Sequence, residues 1–215
     1  MTNSYPVGYP SDWRAFVSYV DSLSGRPWKQ DLNTSVSRFA NRYRAASTMA
    51  ISFEIDTSAF RGYADLLQLA MAYSTLEALE GALKFDSRVS TLASKRSREK
   101  YLRVSLCSEE LADLYRGYEA TKLRKALQQY VKRNELRETL AGLSDGGSDV
   151  KPLVQGIRHL AFHGLVAPAT IAYEWGKNGE VQKLLRGLHS LTLRAADGHF
   201  TKWVAEFCQP KDSLF

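Results

Sequence analysis

Between Leu66 and Leu83, apolar side chains return at steps of three and four residues: Leu66, Leu69, Tyr73, Leu76, Leu79 and Leu83. A helix with 3.6 residues per turn produces that pattern, whereas a half-buried strand alternates every second residue. With Asp56-Thr57-Ser58 in front of it as capping residues, the stripe predicts one long helix from about Ala59 to Phe85. Gly62 and Gly81 weaken that helix only modestly. A helix with one apolar stripe has to bury it against other elements, and here the partners show the same period.

A second long stripe runs through Val181, Leu184, Leu185, Leu188, Leu191 and Ala195. Near the start, Ser11 or Asp12 is placed to cap a helix with Trp13, Phe16, Val17 and Val20 inward, which Gly25 and Pro27 end. A further helix is expected from about Asn33 to Phe53, with Val36, Phe39, Ala40, Tyr43 and Ala50 inward. Its last part, Ile51 to Ile55, alternates and reads equally as a short extended piece. Arg88 to Arg103 reads in its first half as a loop or lid, and Glu109 to Leu140 as two or three shorter helices. Gly142 to Ser148 is a turn, ending in a cap at Ser148 or Asp149, with Pro152 suited to the first turn of the helix that follows. That helix carries Arg158 to His163 and stops at Gly164. Another begins at Pro168 and runs through Trp175 to a turn at Lys177-Asn178-Gly179. Trp203, Phe207 and Phe215 form an apolar tail that packs back or onto a partner. No strand-rich section or internal repeat is present. The expected class is all-α, a helical bundle, and 215 residues fit a single domain.

Charge narrows the partners. The chain carries +6, and the segment from Lys84 to Arg137 alone holds 14 Lys/Arg against 7 Asp/Glu. Such a segment attracts polyanions, because cations near phosphates release condensed counterions; a solvated helical face is the competing reading. No apolar run approaches the ~18 residues of a membrane span. The opening Met1 to Pro6 lacks the basic flank and apolar core of a signal peptide. Cys107 and Cys208 stand apart with no C-x-x-C spacing. A reduced cytoplasmic protein without disulfide or zinc framework is therefore expected, with both cysteines in packing roles.

The chemistry concentrates in Ile157-Arg158-His159-Leu160-Ala161-Phe162-His163-Gly164. Arginine holds a phosphate through a charge-assisted fork, and histidine moves a proton near neutral pH. Those two parts suffice to cleave an RNA phosphodiester without a metal. On a straight helix Arg158 and His163 are about 140° apart. Gly164 lets the backbone leave helical geometry beside His163, and arginine is long enough to swing round. His159 and His163, four apart, share a face. They do not form a metal site of the H-E-x-x-H kind, because Leu160 follows the first histidine and no third ligand is evident. No metal and no cofactor is expected.

The stretch Arg158 to His163 resembles the R-x4–6-H motif of the HEPN superfamily of helical-bundle domains. In that family a polar residue commonly follows the arginine, as His159 does; Ile157 before it and Gly164 after the histidine also match many members. The long helix with Tyr73, Glu77 and Glu80 is similar to the bundle helix that faces the motif. The resemblance implies an organisation for the chain: an N-terminal arm and helices at 1–56, a bundle core with the motif at 57–86 and 148–207, and a basic helical insertion at 87–147.

It also implies a metal-independent RNA endonuclease, a toxin or defence enzyme, working as a homodimer with two motifs on one cleft. Arg158 and His163 would be catalytic, with His159 orienting His163 or the phosphate, and the products would be a 2′,3′-cyclic phosphate and a 5′-hydroxyl. A separate antitoxin or regulatory protein would be the neutralising partner. Leu165 stands where the branch regulated by a nucleotidyltransferase-like antitoxin has tyrosine. The alternative is a non-catalytic dimeric bundle of the same fold that binds RNA, nucleotide or a protein partner. In either case Lys95, Arg96, Arg98, Lys100 and Arg103 are the expected RNA-binding cations, with Tyr101, Tyr115, Tyr118 and Tyr130 interleaved as stacking candidates. His189 and His199 are expected in polar surface or helix-end roles. Glu77 and Glu80 are read as solvated positions, or as partners of Arg158 or His163.

Overall fold

A computed structural model describes residues 7–23, 25–26, 28–52, 54, 58–86, 101–107, 121, 123, 125, 127–129, 134–142, 149–162 and 180–208. Their helices are α1 (Trp13–Ser22), α2 (Lys29–Thr48), α3 (Ser58–Phe85), α4 (Asn134–Gly142), α5 (Lys151–Phe162) and α6 (Glu180–Phe207). Residues 121, 123, 125 and 127–129 are helical too. Among the described residues no strand forms, and β pairing is limited to an isolated antiparallel bridge between Cys107 and Asp149. The protein is all-α. No helix among the described residues is long and apolar enough to cross a membrane.

The chain divides into two compact units, the first comprising Met1–Met49, Ser74–Val104 and Leu193–Phe215, the second Ala50–Tyr73 and Ser105–Thr192. Helices α3 and α6 each contribute residues to both. Of the described residues between 87 and 147, 101–104 fall in the first unit and 105–107, 121, 123, 125, 127–129 and 134–142 in the second.

In the first unit the core is aromatic. Phe16, Phe39, Phe200 and Trp203 are all fully buried. Phe200 stands 5.2 Å from Phe39 and 5.8 Å from Trp203, centroid to centroid, and Phe16 lies 5.8 Å from Trp203. Offset and tilted pairs of this kind add about 0.5–1.5 kcal/mol each beyond the area they bury. The buried Trp203 indole N–H needs an acceptor, and Asp86 Oδ2 supplies it at 2.9 Å.

Local chemistry at the ends of α1 and α2 departs from the sequence reading. Ser11 does not cap α1: its N–H and its hydroxyl both donate to the Asp197 carboxylate of α6, at 2.7 and 2.6 Å. Asp12 occupies the cap position without a side-chain hydrogen bond. Tyr19 joins Trp13, Phe16 and Val20 in the core, and Val17 is only half-buried. Helix α2 begins earlier than expected, at Lys29, and ends at Thr48 rather than Phe53. Its end has a physical cause. Thr48 Oγ1 and Ser47 Oγ donate to the Arg44 carbonyl at 2.7 and 3.1 Å, and Met49 turns extended. Ser47 Oγ also reaches the Gly8 carbonyl at 3.0 Å, tying the N-terminal arm to the end of α2. Ala50 is consequently exposed rather than inward.

The long stripe of α3 is as expected, with Leu66, Leu69, Tyr73, Leu76, Leu79 and Leu83 all buried. In the second unit Leu66, Leu69 and Tyr73 belong to a leucine-rich core with Leu140, Leu153, Leu160, Leu184 and Leu188. Helix α5 buries Leu153, Val154, Gly156, Ile157 and Leu160, while Ala161 is half-buried. Gly156 is the point of close approach. A Cβ there would meet Leu140 Cδ1 at 3.4 Å and the Leu127 methyls at 3.7 Å. Val181, Leu184, Leu185, Leu188 and Leu191 are buried on α6, and Trp203 in its last turns is fully buried. The capping residues Asp56 and Thr57, the turn at 143–148, the segment Pro168 to Gly179, and Phe215 lie outside the described residues.

Candidate functional site

The element that carries the motif is set in place by Asp149. Its Oδ1 accepts the backbone N–H of Lys151 at 2.9 Å, satisfying one of the orphan donors of the first turn of α5. The same oxygen accepts the Leu106 N–H at 3.0 Å, and Oδ2 accepts the Ser105 hydroxyl at 2.9 Å. The Val150 N–H then donates to the Leu106 carbonyl at 2.9 Å. One carboxylate thus caps the motif helix and pins the 105–107 segment to its start. Asp149 is one of the two caps the sequence offers, beside Ser148, but its second partner, 43 residues away, is not legible there.

Nine residues after Asp149, Arg158 is half-buried. Its guanidinium carbon lies 5.9 Å from the ring centroid of Tyr73 on α3 and 5.4 Å from that of Phe162, one turn ahead on α5. Both are cation–π distances. Tyr73 is 3% exposed and Phe162 is 58% exposed, so the cation rests against one ring fixed in the core and another open to solvent. The long helix therefore does supply a side chain to the motif arginine, and Tyr73 is that residue. His159, the next residue, is half-buried. His163 and Gly164 lie outside the described residues.

Of the expected RNA-binding cations, Lys95, Arg96, Arg98 and Lys100 lie outside the described residues; Arg103 is exposed, in the first unit. Tyr115, Tyr118 and Tyr130 are also outside. Tyr101 is corrected by the structure: it is 2% exposed and is a core residue rather than a stacking surface. Its hydroxyl donates to Glu206, and its ring meets Phe207 edge-on at 5.2 Å. Burial first, and then the neighbouring Glu206 carboxylate, push its phenol up to about 12. His199 Nε2 donates to the Tyr101 carbonyl at 2.8 Å, which gives that histidine a structural role. Glu80 is not a solvated position either, since its Oε1 accepts the Val104 N–H at 2.7 Å. Cys208 is buried as a packing residue, whereas Cys107 is exposed.

A second ionic feature of the motif-bearing unit was not anticipated. Asp65 on α3, 5% exposed, accepts a 2.9 Å hydrogen bond from Arg186 Nε on α6. Its other oxygen is buried without a hydrogen-bond partner. The bond to Asp65, and then its charge, hold the Arg186 guanidinium further above its ordinary range. The side chain of Arg186 is nonetheless 64% exposed. No periodicity marks such a pair, because its members are 121 residues apart. Among the described residues no three His, Cys, Asp or Glu side chains cluster as metal ligands. No protein-family profile, no curated protein and no solved structure matches this chain.

Proposed function

We propose that this chain is a HEPN-type, metal-independent RNA endonuclease that acts as a homodimer. The observation that carries the reading is Arg158. It is a half-buried guanidinium on the capped helix that leads into His163, lying within cation–π reach of a core tyrosine of the long α3 helix. A cation rested on a buried ring has less freedom than one in solvent, so it can meet a phosphate with its fork already oriented. The R-x4–6-H spacing and the all-α architecture support the same reading.

The chemistry balances with two side chains. The His163 imidazole takes the proton of a ribose 2′-hydroxyl, and the resulting O2′ attacks the adjacent phosphorus. The bond from phosphorus to the 5′-oxygen breaks, and that oxygen leaves as a hydroxyl after receiving a proton from an imidazolium. The second motif of the dimer provides the second imidazole. Arg158 neutralises charge on the non-bridging oxygens as it develops. His159 orients the phosphate or the catalytic histidine. Products are a 2′,3′-cyclic phosphate and a 5′-hydroxyl, and DNA is not cut because it lacks the nucleophile.

The test is cleavage of a mixed-sequence RNA in EDTA by wild type, Arg158→Ala, Arg158→Lys and His163→Ala. Loss of a general acid–base group costs about 10²–10⁴-fold, so His163→Ala is expected to fall by that much, and Arg158→Ala comparably. Arg158→Lys keeps the charge without the fork and is expected to recover only part of the rate. Full activity in both alanine variants places any cleavage elsewhere. Salt-sensitive RNA binding with no turnover by wild type supports the non-catalytic bundle instead.

A further inference from the structure

One arginine of the motif-bearing unit is anchored yet keeps most of its donors. A guanidinium carries five N–H groups in a planar fork. Arg186 gives its Nε–H to Asp65 Oδ1 at 2.9 Å. Among the described residues this is the only hydrogen bond its side chain makes, so the N–H groups of Nη1 and Nη2 are left for solvent or a ligand. The arginine side chain is 64% exposed, whereas Asp65 is 5% exposed. The anchor lies in the protein and the fork lies in solvent.

A pair built for stability alone has a different geometry. Burying a carboxylate costs free energy that is offset only by a close cation and hydrogen bonds to both oxygens. Here Asp65 Oδ2 is buried and has no hydrogen-bond partner among the described residues. A two-bond clasp, with Nε and one Nη each donating to one oxygen, would satisfy it, and the guanidinium does not make that clasp. What the single bond does achieve is direction. With Nε tied to α3, the Nη edge has less freedom than that of an ordinary surface arginine, so less is lost when it meets a planar acceptor pair. The position matches that use. Arg186 is tied to α3 at Asp65, and Arg158 rests on α3 at Tyr73. The two anchor points are about 12 Å apart along the helix axis and about 80° apart around it, and all four residues belong to the second unit. A few nucleotides of one strand cover that span.

We infer that Arg186, oriented by Asp65, is a second phosphate-binding residue, which grips a non-scissile phosphate of single-stranded RNA bound along the motif-bearing unit. The inference takes its ligand from the RNA reading above but does not depend on cleavage. Asp65 is a positioning residue: it touches the arginine, not the RNA. Its charge lies behind the guanidinium, so an approaching phosphate meets the Nη edge first.

The experiment is fluorescence anisotropy of the full chain with a fluorescein-labelled single-stranded RNA carrying 2′-fluoro on every ribose, so that binding is read without cleavage. Arg186→Lys keeps the charge and a donor for Asp65 but lacks the Nη fork, and is expected to weaken binding at least about threefold. The double variant Asp65→Asn with Arg186→Gln removes one charge of each sign, which leaves the net charge unchanged and no ion buried. It is expected to bind about three- to tenfold more weakly. Its slope of log affinity against log salt should fall by about 0.7, the value for one phosphate contact on a single strand. A pair with a structural role alone moves neither quantity. Urea melts check that both variants fold, and Arg186→Lys decides alone if the double variant does not. The inference is overturned by the lack of salt-sensitive binding in wild type, by wild-type affinity in Arg186→Lys, or by an unchanged salt slope in a folded double variant. Arg186-dependent binding by a protein that does not cut 2′-hydroxyl RNA in EDTA upholds the inference and removes the nuclease. Cleavage with Arg186-independent binding does the reverse.

Discussion

Replacing Asp149 by alanine removes one side chain and leaves three donors without their acceptor: the backbone N–H groups of Lys151 and Leu106 and the Ser105 hydroxyl. The hydroxyl is exposed and finds water, so it contributes little. The two backbone bonds are part-buried and made to an ionised oxygen, a type worth about 1.5–3 kcal/mol each. At the lower end of that range the loss is ~3 kcal/mol. Asp149→Asn keeps an amide oxygen in place for the same N–H groups but loses the charge, so it should cost about half as much. Urea denaturation followed by circular dichroism measures both. With a slope of about 2 kcal/mol per molar urea, the alanine midpoint falls by about 1.5 M and the asparagine midpoint by about half that. A loss below about 1 kcal/mol for alanine refutes the cap-and-tie role, as does an asparagine variant no better than alanine. Since Arg158 sits two turns into the helix that Asp149 caps, RNA cleavage should decline in the same order as stability.

Other consequences follow from single positions. Gly8 has φ +97°, and a Cβ there would stand 2.4 Å from Thr48 Cγ2; Thr48 cannot swing aside without losing its 2.7 Å bond to Arg44, so Gly8→Ala should cost at least about 2 kcal/mol in a thermal or urea melt. Gly156→Ala meets Leu140 at ordinary van der Waals distance, 3.4 Å, and gains helix propensity; it should stabilise by up to about 1 kcal/mol, whereas Gly156→Leu should destabilise by about 1–3 kcal/mol. Burial, aided by Asp197 for Tyr43 and by Glu206 for Tyr101, pushes both phenols up to about 12 from 10.0. Their folded values exceed the unfolded one, so the stability they contribute is complete below pH 10 and is lost as pH rises through 12. The loss grows across that window at both positions. Ultraviolet titration should show Tyr43 and Tyr101 among the late-ionising phenols, so that Tyr101→Phe reduces the late component; uniform ionisation near pH 10 contradicts this.

What the sequence made legible was whatever repeats along a helix. The Leu66 to Leu83 stripe predicted α3 and its buried face because the 3.6-residue period is written into consecutive residues. Asp149 was recognisable as a cap because its first partner, Lys151, is two residues away. Pairings set by the tertiary fold left no local trace. Ser11 looked like a helix cap until Asp197, 186 residues on, claimed both its donors. Tyr101, flanked by Lys100 and Arg103, looked like a stacking surface, yet its ring is covered by Phe207 and its hydroxyl is taken by Glu206. Glu80 read as solvated because nothing in its neighbourhood announces the Val104 amide. At the candidate site the arginine and the long helix opposite it were visible from sequence, through the motif and the stripe. The exposed ring of Phe162 beside Arg158 and the Asp65–Arg186 pair were not.

The most direct test of the central claim is the chemical identity of the RNA ends made in EDTA. The account predicts a 2′,3′-cyclic phosphate on one fragment and a 5′-hydroxyl on the other, with no cleavage when the ribose at the cut site is 2′-deoxy. A 3′-hydroxyl paired with a 5′-phosphate, or undiminished cutting of the 2′-deoxy substrate, would contradict it.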